Sequence, residues 1–141
     1  MRILGIDYGT KRIGLAVGET DSGMAFPLRT LANDGNLARA VSEVAAAAKS
    51  EDCAAFVVGL PLALKGGDAG ETAALAKAFA AALKKLTGAD VALEDERLTT
   101  ALVERMRKDA GIAAKDFDRD AAAATVILES YLARRRSSEA V

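Results

Sequence analysis

The sequence has no histidine, no tryptophan and one cysteine, Cys53, among its 141 residues. Without histidine, the chain cannot carry Ser-His-Asp or Cys-His catalysis, histidine general-base chemistry or an ordinary Cys/His zinc site. A single cysteine excludes a disulfide within the chain, which fits a reducing compartment. Any catalysis must therefore rely on carboxylates, lysines, hydroxyls or a bound ion.

Long apolar runs and a large net charge are also missing. No run is long enough to cross a bilayer, and the chain reaches Asp7 too early for a signal peptide. We therefore expect a cytoplasmic protein with no membrane partner. The net charge of −1 gives no overall basic footprint. It does not exclude nucleic acid, because basic residues can cluster beside an acidic site that holds cations.

The apolar pattern predicts an α/β fold. Hydrophobic residues make up 51% of the chain, but 32 residues are alanine, so the larger ones suffice for one modest core. Period-two and continuous apolar runs predict five strands, and helical spacing predicts the helices between and after them. The strands are expected at residues 2–7, 13–18, 26–30, 54–60 and 91–93, and the helices at 36–49, 71–86, around 98–106 and 120–134.

This order predicts a mixed five-stranded sheet flanked by helices, with the first three strands antiparallel and the later ones parallel. In the first hairpin, Gly14, Ala16 and Gly18 share one face, where their small size lets another element approach closely. In the 71–86 helix, the expected buried stripe is Leu75, Phe79, Leu83 and Leu86. A glycine-rich loop is expected at 65–70. Residues 1–136 are predicted to form one domain, and residues 137–141 a disordered tail.

Three groups of carboxylates fall at element boundaries. Asp7 ends the first strand, residues 94–96 end the last strand, and Asp118 and Asp120 begin the last helix. In α/β proteins such boundaries gather functional side chains at one sheet edge. An acidic cluster without histidine or cysteine suits Mg²⁺ or Mn²⁺, and two such ions can support phosphodiester hydrolysis.

Each group also has a purely structural interpretation. Asp7 can be a turn residue, Asp118 or Asp120 can cap a helix, and the acidic run can favour a helix dipole. Spacing by itself therefore suggests a metal site without deciding which carboxylates form it.

Four stretches resemble, in order and spacing, the motifs of the YqgF/RuvX family. They are GIDYGTKRIGLA at 5–16, VVGLP at 57–61, DERLTT at 95–100 and DAAAATVILESY at 120–131. The resemblance implies an RNase H-like fold and a nuclease that matures the 5′ end of pre-16S rRNA, resolves Holliday junctions, or does both. Structured RNA or branched DNA would be the partner. A homodimer is compatible with junction resolution, because such nucleases act as symmetric pairs.

The resemblance also implies the site. Asp7, Glu96 and Asp120 are the expected catalytic and metal-ligating residues, in a two-metal, carboxylate-based mechanism with Mg²⁺ or Mn²⁺ as cofactor. Asp95 and Asp118 are the alternatives to Glu96 and Asp120. The candidate nucleic-acid contacts are Lys11, Arg12, Lys65, Arg97 and Arg119.

Three other functions compete with a nuclease. The fold could serve as a non-catalytic nucleic-acid-binding module. The turn at residues 7–10 also resembles the phosphate loop of actin-like ATPases, although 141 residues cannot supply the two domains that those proteins need. A structural protein that merely keeps the scaffold is the third alternative.

Overall fold

Strands and helices follow one another in the predicted order. The computed structural model describes residues 1–61, 69–96 and 99–139. Within those ranges, no helix combines the length and apolar character needed to cross a membrane. The elements are β1 (Arg2–Tyr8), β2 (Arg12–Glu19), β3 (Ala25–Ala32), α1 (Leu37–Ser50), β4 (Ala55–Leu60), α2 (Ala69–Thr87), β5 (Asp90–Asp95), α3 (Thr99–Ala110) and α4 (Arg119–Glu139), with a 3₁₀ turn at Ala114–Asp116.

The strands form one mixed sheet in the order β3-β2-β1-β4-β5. β1 pairs antiparallel with β2, and β2 with β3, whereas β4 runs parallel to both β1 and β5. The predicted α/β class, strand number and strand directions are confirmed. β3 is an edge strand, which accommodates Pro27, because proline cannot donate a ladder hydrogen bond.

Each face of the sheet is covered by different helices. On one face, large side chains of β1, β2 and β4 pack against α1 and α2. On the other face, small and medium residues of the same strands pack against α4. α3 lies outside this second layer and packs on α4 through Val103, Ala122 and Ala123.

Small residues in the sheet let α4 approach the strands closely. A Cβ added to Gly14 of β2 would lie 1.9 Å from the backbone oxygen of Asp120, and one added to Gly5 of β1 would lie 2.9 Å from Leu128. Ala16 of β2 is fully buried in the same layer. The predicted close approach to Gly14, Ala16 and Gly18 is therefore confirmed, and the approaching element is α4.

Two details differ from the sequence prediction. In α2, Phe79 and Leu83 are buried, but Leu75 and Leu86 are exposed, because Ala76 and Ala80 complete the buried stripe instead. Alanine lets this helix pack closely, so the larger flanking leucines remain outside the contact.

The second difference concerns element ends. α2 begins at Ala69, which takes Ala69 and Gly70 out of the predicted 65–70 loop, while residues 62–68 lie outside the described ranges. α4 continues to Glu139, so residues 137–139, predicted as disordered tail, are helical. Arginine and serine at 134–138 continue this surface helix, in which polar side chains face solvent.

The close approach at Gly14 makes a stability prediction. We expect Gly14→Ala to lower the free energy of unfolding by about 3 kcal/mol, because its Cβ meets backbone that no rotamer change can move. Gly70→Ala is the matched control, since nothing lies within 4 Å of its added Cβ. It should be neutral or stabilise by up to about 1 kcal/mol. Urea denaturation measures both; equal stability of the two variants would contradict the packing argument.

Candidate active site

Three elements bring carboxylates to one edge of the sheet. Asp7 is the penultimate residue of β1, Glu96 follows the last residue of β5, and Asp120 is the second residue of α4. β1 and β5 are both parallel to β4, so their carboxyl ends lie at the same edge. The first turn of α4 reaches this edge through its contact with Gly14, which pairs with Asp7 in the β1–β2 register.

The strand pleat separates Glu96 from Asp95. Asp95 pairs with Leu60 of β4, whose side chain packs against the α1–α2 layer. Successive residues of a strand point to opposite faces, so Asp95 lies on the α1–α2 side and Glu96 on the α4 side. A Cβ added to Gly59 would lie 3.0 Å from the Glu96 side chain, which places that side chain over β4.

Gly59 gives Glu96 its path to Asp7. β4 lies between β5 and β1, so a side chain that starts at the end of β5 must cross β4 to reach Asp7. The absence of a side chain at Gly59 leaves room for this crossing, and the length of glutamate allows it. Glu96 and Asp7 are hydrogen-bonded to each other.

The two carboxyl groups share one proton. Burial, the hydrogen bond to Asp7 and the charge of Asp7 raise the pKa of Glu96 to about 8. Burial also raises the pKa of Asp7, against the lowering effect of the hydrogen bond from Glu96, and the nearby charge of Asp120 adds to the rise. At neutral pH, Glu96 therefore keeps the proton and donates it to Asp7. A pair in this state gains from added positive charge.

Asp118 and Asp120 have different tasks. Asp118 caps α4: its Oδ1 accepts a hydrogen bond of 3.0 Å from the backbone N–H of Ala121, and the Thr30 hydroxyl donates to the same oxygen. Asp120 is free of the capping role and accepts a hydrogen bond from Nε of Arg12 at 2.8 Å. The helix-cap interpretation thus holds for Asp118, and Asp120 is the carboxylate directed toward the site.

The candidate basic residues are distributed unevenly. Lys11 and Arg12 lie at the tip of the β1–β2 hairpin, beside the carboxylates, and both are exposed. Arg119 instead donates to Glu104 of α3 at 2.8 Å, so it joins α3 to α4. Lys65 and Arg97 lie outside the described ranges.

The donor set at this edge fits a hard divalent cation. All candidate ligands are carboxylate oxygens, and the proton shared by Asp7 and Glu96 occupies a place where positive charge is favourable. Among residues 1–61, 69–96 and 99–139, no three potential ligands are gathered into a ready metal cage. The third carboxylate, Asp120, is paired with Arg12.

Two residues near this edge have roles that the sequence alone does not reveal. The sequence places Gly59 within the VVGLP motif, and its role follows from the strand order. Glu94 has 7% of its surface exposed and accepts hydrogen bonds from Ser130, at 2.9 Å, and from Arg134. It thus joins β5 to the second half of α4. No local sequence signal pairs Glu94 with residues 36 and 40 positions away.

The sheet order and the layer formed by α4 are those of an RNase H-like fold. The chain matches Thermus thermophilus RuvC in complex with a Holliday junction substrate with a TM-score of 0.64, at 16% identity over 96% of each chain. It matches the fowlpox virus Holliday junction resolvase with a TM-score of 0.58, at 13% identity over 95% of this chain and 99% of that one.

Sequence similarity places the chain more narrowly. The model of the RuvX family, described as Holliday junction resolvase, matches residues 1–134, and the chain belongs to this family. A relative from Nitratidesulfovibrio vulgaris is 40% identical over 94% of this chain and 93% of its own length. One from Maridesulfovibrio salexigens is 37% identical over 95% and 99%. Both are named "Putative pre-16S rRNA nuclease". The family resemblance and the RNase H-like fold expected from the sequence are confirmed.

The shared proton predicts a pH-dependent stability. The raised pKa of Glu96, about 8, means that folding opposes its ionisation, so stability is highest below pH 4.5 for this group and falls as the pH rises through 8. In EDTA, we expect Asp7→Asn to gain about 1–2 kcal/mol over the native protein at pH 9 and much less at pH 5. Since the chain lacks histidine, few other groups titrate in this window.

Thermal unfolding between pH 5 and pH 9 measures this difference. Asp95→Asn is the matched control, because it also removes one carboxylate charge. Asp95 is next to Glu96 in the chain but lies on the opposite face of the sheet. This variant should keep the pH slope of the native protein. An unchanged slope in Asp7→Asn would refute the shared proton.

The Glu94 contact makes a separate prediction. Arg134→Ala should lower the free energy of unfolding by about 2 kcal/mol, because among the described residues it leaves the buried Glu94 carboxylate with only the hydrogen bond from Ser130. In a Glu94→Gln background, the same change should cost clearly less, since glutamine carries no charge to compensate. Chemical denaturation of the four proteins of this double-mutant cycle gives the coupling. A coupling of zero would mean that the contact contributes nothing.

Proposed function

We propose that this protein is a divalent-metal-dependent nuclease whose active site is the edge formed by Asp7, Glu96 and Asp120. The observation that carries the proposal is the convergence of the half-buried Asp7 and Glu96, hydrogen-bonded to each other at one sheet edge, with Asp120 within electrostatic reach. Two half-buried acids placed this close together are unfavourable for folding, so a function that uses their charge explains their presence. Membership of the RuvX family supports the same activity.

Asp7, Glu96 and Asp120 would hold Mg²⁺ or Mn²⁺. When bound, such ions neutralise phosphodiester charge and lower the pKa of a water molecule. The central position of Asp7, hydrogen-bonded to Glu96 and within electrostatic reach of Asp120, suits it to contact two ions. To hold a cation with its full charge, Glu96 would have to lose its proton, and the chain has no histidine that could receive it.

The hairpin tip would hold the nucleic-acid backbone beside these acids. Lys11 and Arg12 are exposed, and Arg12 already lies within hydrogen-bond distance of Asp120. A phosphate bound by these cations would lie next to the carboxylate edge. Arg119 is less suited to this task, because it is paired with Glu104, whose carboxylate already balances its charge.

The substrate that we propose is a structured or branched nucleic acid. Relatives at 37–40% identity carry the name of a pre-16S rRNA nuclease, and the family carries the name of a Holliday junction resolvase. Both names describe cleavage at a folded nucleic acid. Resolution of a junction needs two cuts, and we propose that two copies of the chain would supply them.

Cleavage assays test the active site directly. We expect the native protein to cut a pre-16S rRNA fragment or a four-way DNA junction in Mg²⁺ or Mn²⁺ and to lose this activity in EDTA. Asp7→Asn and Asp120→Asn should each reduce the rate at least about 100-fold, because each removes a charged ligand. Asp95→Asn should cut at nearly the native rate.

The same substrates separate the competing functions. Linear DNA and unstructured RNA of matched length serve as controls for structure selectivity. Undiminished cleavage by Asp7→Asn would refute the proposed site. Tight binding without cleavage in any divalent metal would instead favour the non-catalytic module.

A further inference from the structure

One ion pair joins the hairpin tip to the proposed active site. Nε of Arg12 lies 2.8 Å from Oδ2 of Asp120, although the two residues are 108 positions apart. Asp120 is the acid that the first turn of α4 directs toward the site. The carboxylate that would complete the cation site is therefore already occupied by a cation belonging to the protein.

The backbone that carries Arg12 is firmly held. The N–H of Gly9 donates to the carbonyl oxygen of Arg12 at 2.9 Å, and the N–H of Asn33 donates to that of Lys11 at 2.9 Å. The side-chain amide of Asn33 also donates to the carbonyl oxygen of Gly9 at 2.8 Å. The turn thus fixes where the Arg12 side chain starts.

The side chain itself is held weakly. It is 66% exposed, and that of Asp120 is 30% exposed. An ion pair in such a position is screened by water and contributes little to stability. A phosphate offers the guanidinium two oxygens in bidentate geometry, which is a stronger and more specific partner than the single Nε contact. An arriving phosphate can therefore displace Asp120.

We propose that Arg12 exchanges partners, pairing with Asp120 in the free protein and moving to a backbone phosphate when nucleic acid binds. This inference rests on the proposed function. The exchange makes Asp120 more available to a divalent cation when substrate is present. Binding of nucleic acid and binding of the cation are consequently cooperative, and each strengthens the other by the same factor. Arg12 acts here as a positioning residue.

Neighbouring cations do not duplicate this role. Lys11 is adjacent in the hairpin tip and exposed, but among the described residues the cation paired with Asp120 is Arg12. Arg119 is adjacent to Asp120 in the chain, but it donates to Glu104. The exchange is thus specific to Arg12, and Lys11 provides the matched control.

Titration with Mn²⁺ in the absence of nucleic acid tests the first half of the exchange. Calorimetry or electron paramagnetic resonance measures the affinity of the native protein, Arg12→Ala and Lys11→Ala. Removing the competing guanidinium should tighten Mn²⁺ binding about two- to fivefold in Arg12→Ala. Lys11→Ala removes a charge of the same sign and should bind Mn²⁺ like the native protein. Equal affinity of Arg12→Ala and the native protein, or equal tightening in both variants, overturns the exchange.

The second half is tested by adding a four-way DNA junction with phosphorothioate linkages, which resist hydrolysis. The junction should raise the Mn²⁺ affinity of the native protein by a factor two to five times larger than in Arg12→Ala. Equal factors overturn the coupling. Asp7→Asn separates this result from the proposed function. If the native protein and Asp7→Asn bind Mn²⁺ alike, the cation site is wrong; if they differ while Arg12→Ala behaves as native, only the exchange is wrong.

Discussion

The contact between α4 and the small residues of the sheet determines where the site can form. The backbone of α4 approaches β2 so closely at Gly14 that a methyl group would overlap the Asp120 carbonyl oxygen. This distance brings the first turn of the helix, with Asp120, to the edge where β1 and β5 end. A larger residue at Gly14 would separate the third carboxylate from the other two while leaving the strands intact. Backbone contact, not side-chain chemistry, is therefore the first requirement of the site.

The same closeness has an electrostatic consequence. Asp7 and Glu96 are brought together in a partly dry environment, where two negative charges cannot both be stable, and the proton of Glu96 is the result. Asp120 meets the same difficulty by pairing with Arg12. Each acid at the edge is thus paired with positive charge, which is either a proton or a guanidinium. A site that is paired with positive charge in the free protein is suited to bind cations. A polyanionic substrate would favour the binding of such cations further.

The sequence predicts the strands, their directions and the small-residue face well, because these depend on local patterns. Alternation at residues 13–18 and the continuous apolar run at 54–60 are sufficient for the sheet. Local patterns do not show which of Asp95 and Glu96 faces Asp7, whereas strand register does. They also miss Gly59, Glu94 and the Arg12–Asp120 pair, since these depend on which distant elements become neighbours. The prediction that Leu75 and Leu86 are buried is wrong, because helical spacing does not show how wide the contact surface of α2 is.

The acidic and basic residues at this edge of the sheet differ in their exposure to solvent. The acids at the edge are mostly withdrawn from solvent, which strengthens every charge placed near them. The basic residues of the hairpin remain in water, where an ion pair is easily exchanged. In the reverse arrangement, with a buried arginine fixed on Asp120, the third carboxylate would be permanently neutralised. Because Arg12 is exposed, its ion pair with Asp120 forms in the free protein and can still be displaced by a competing ion.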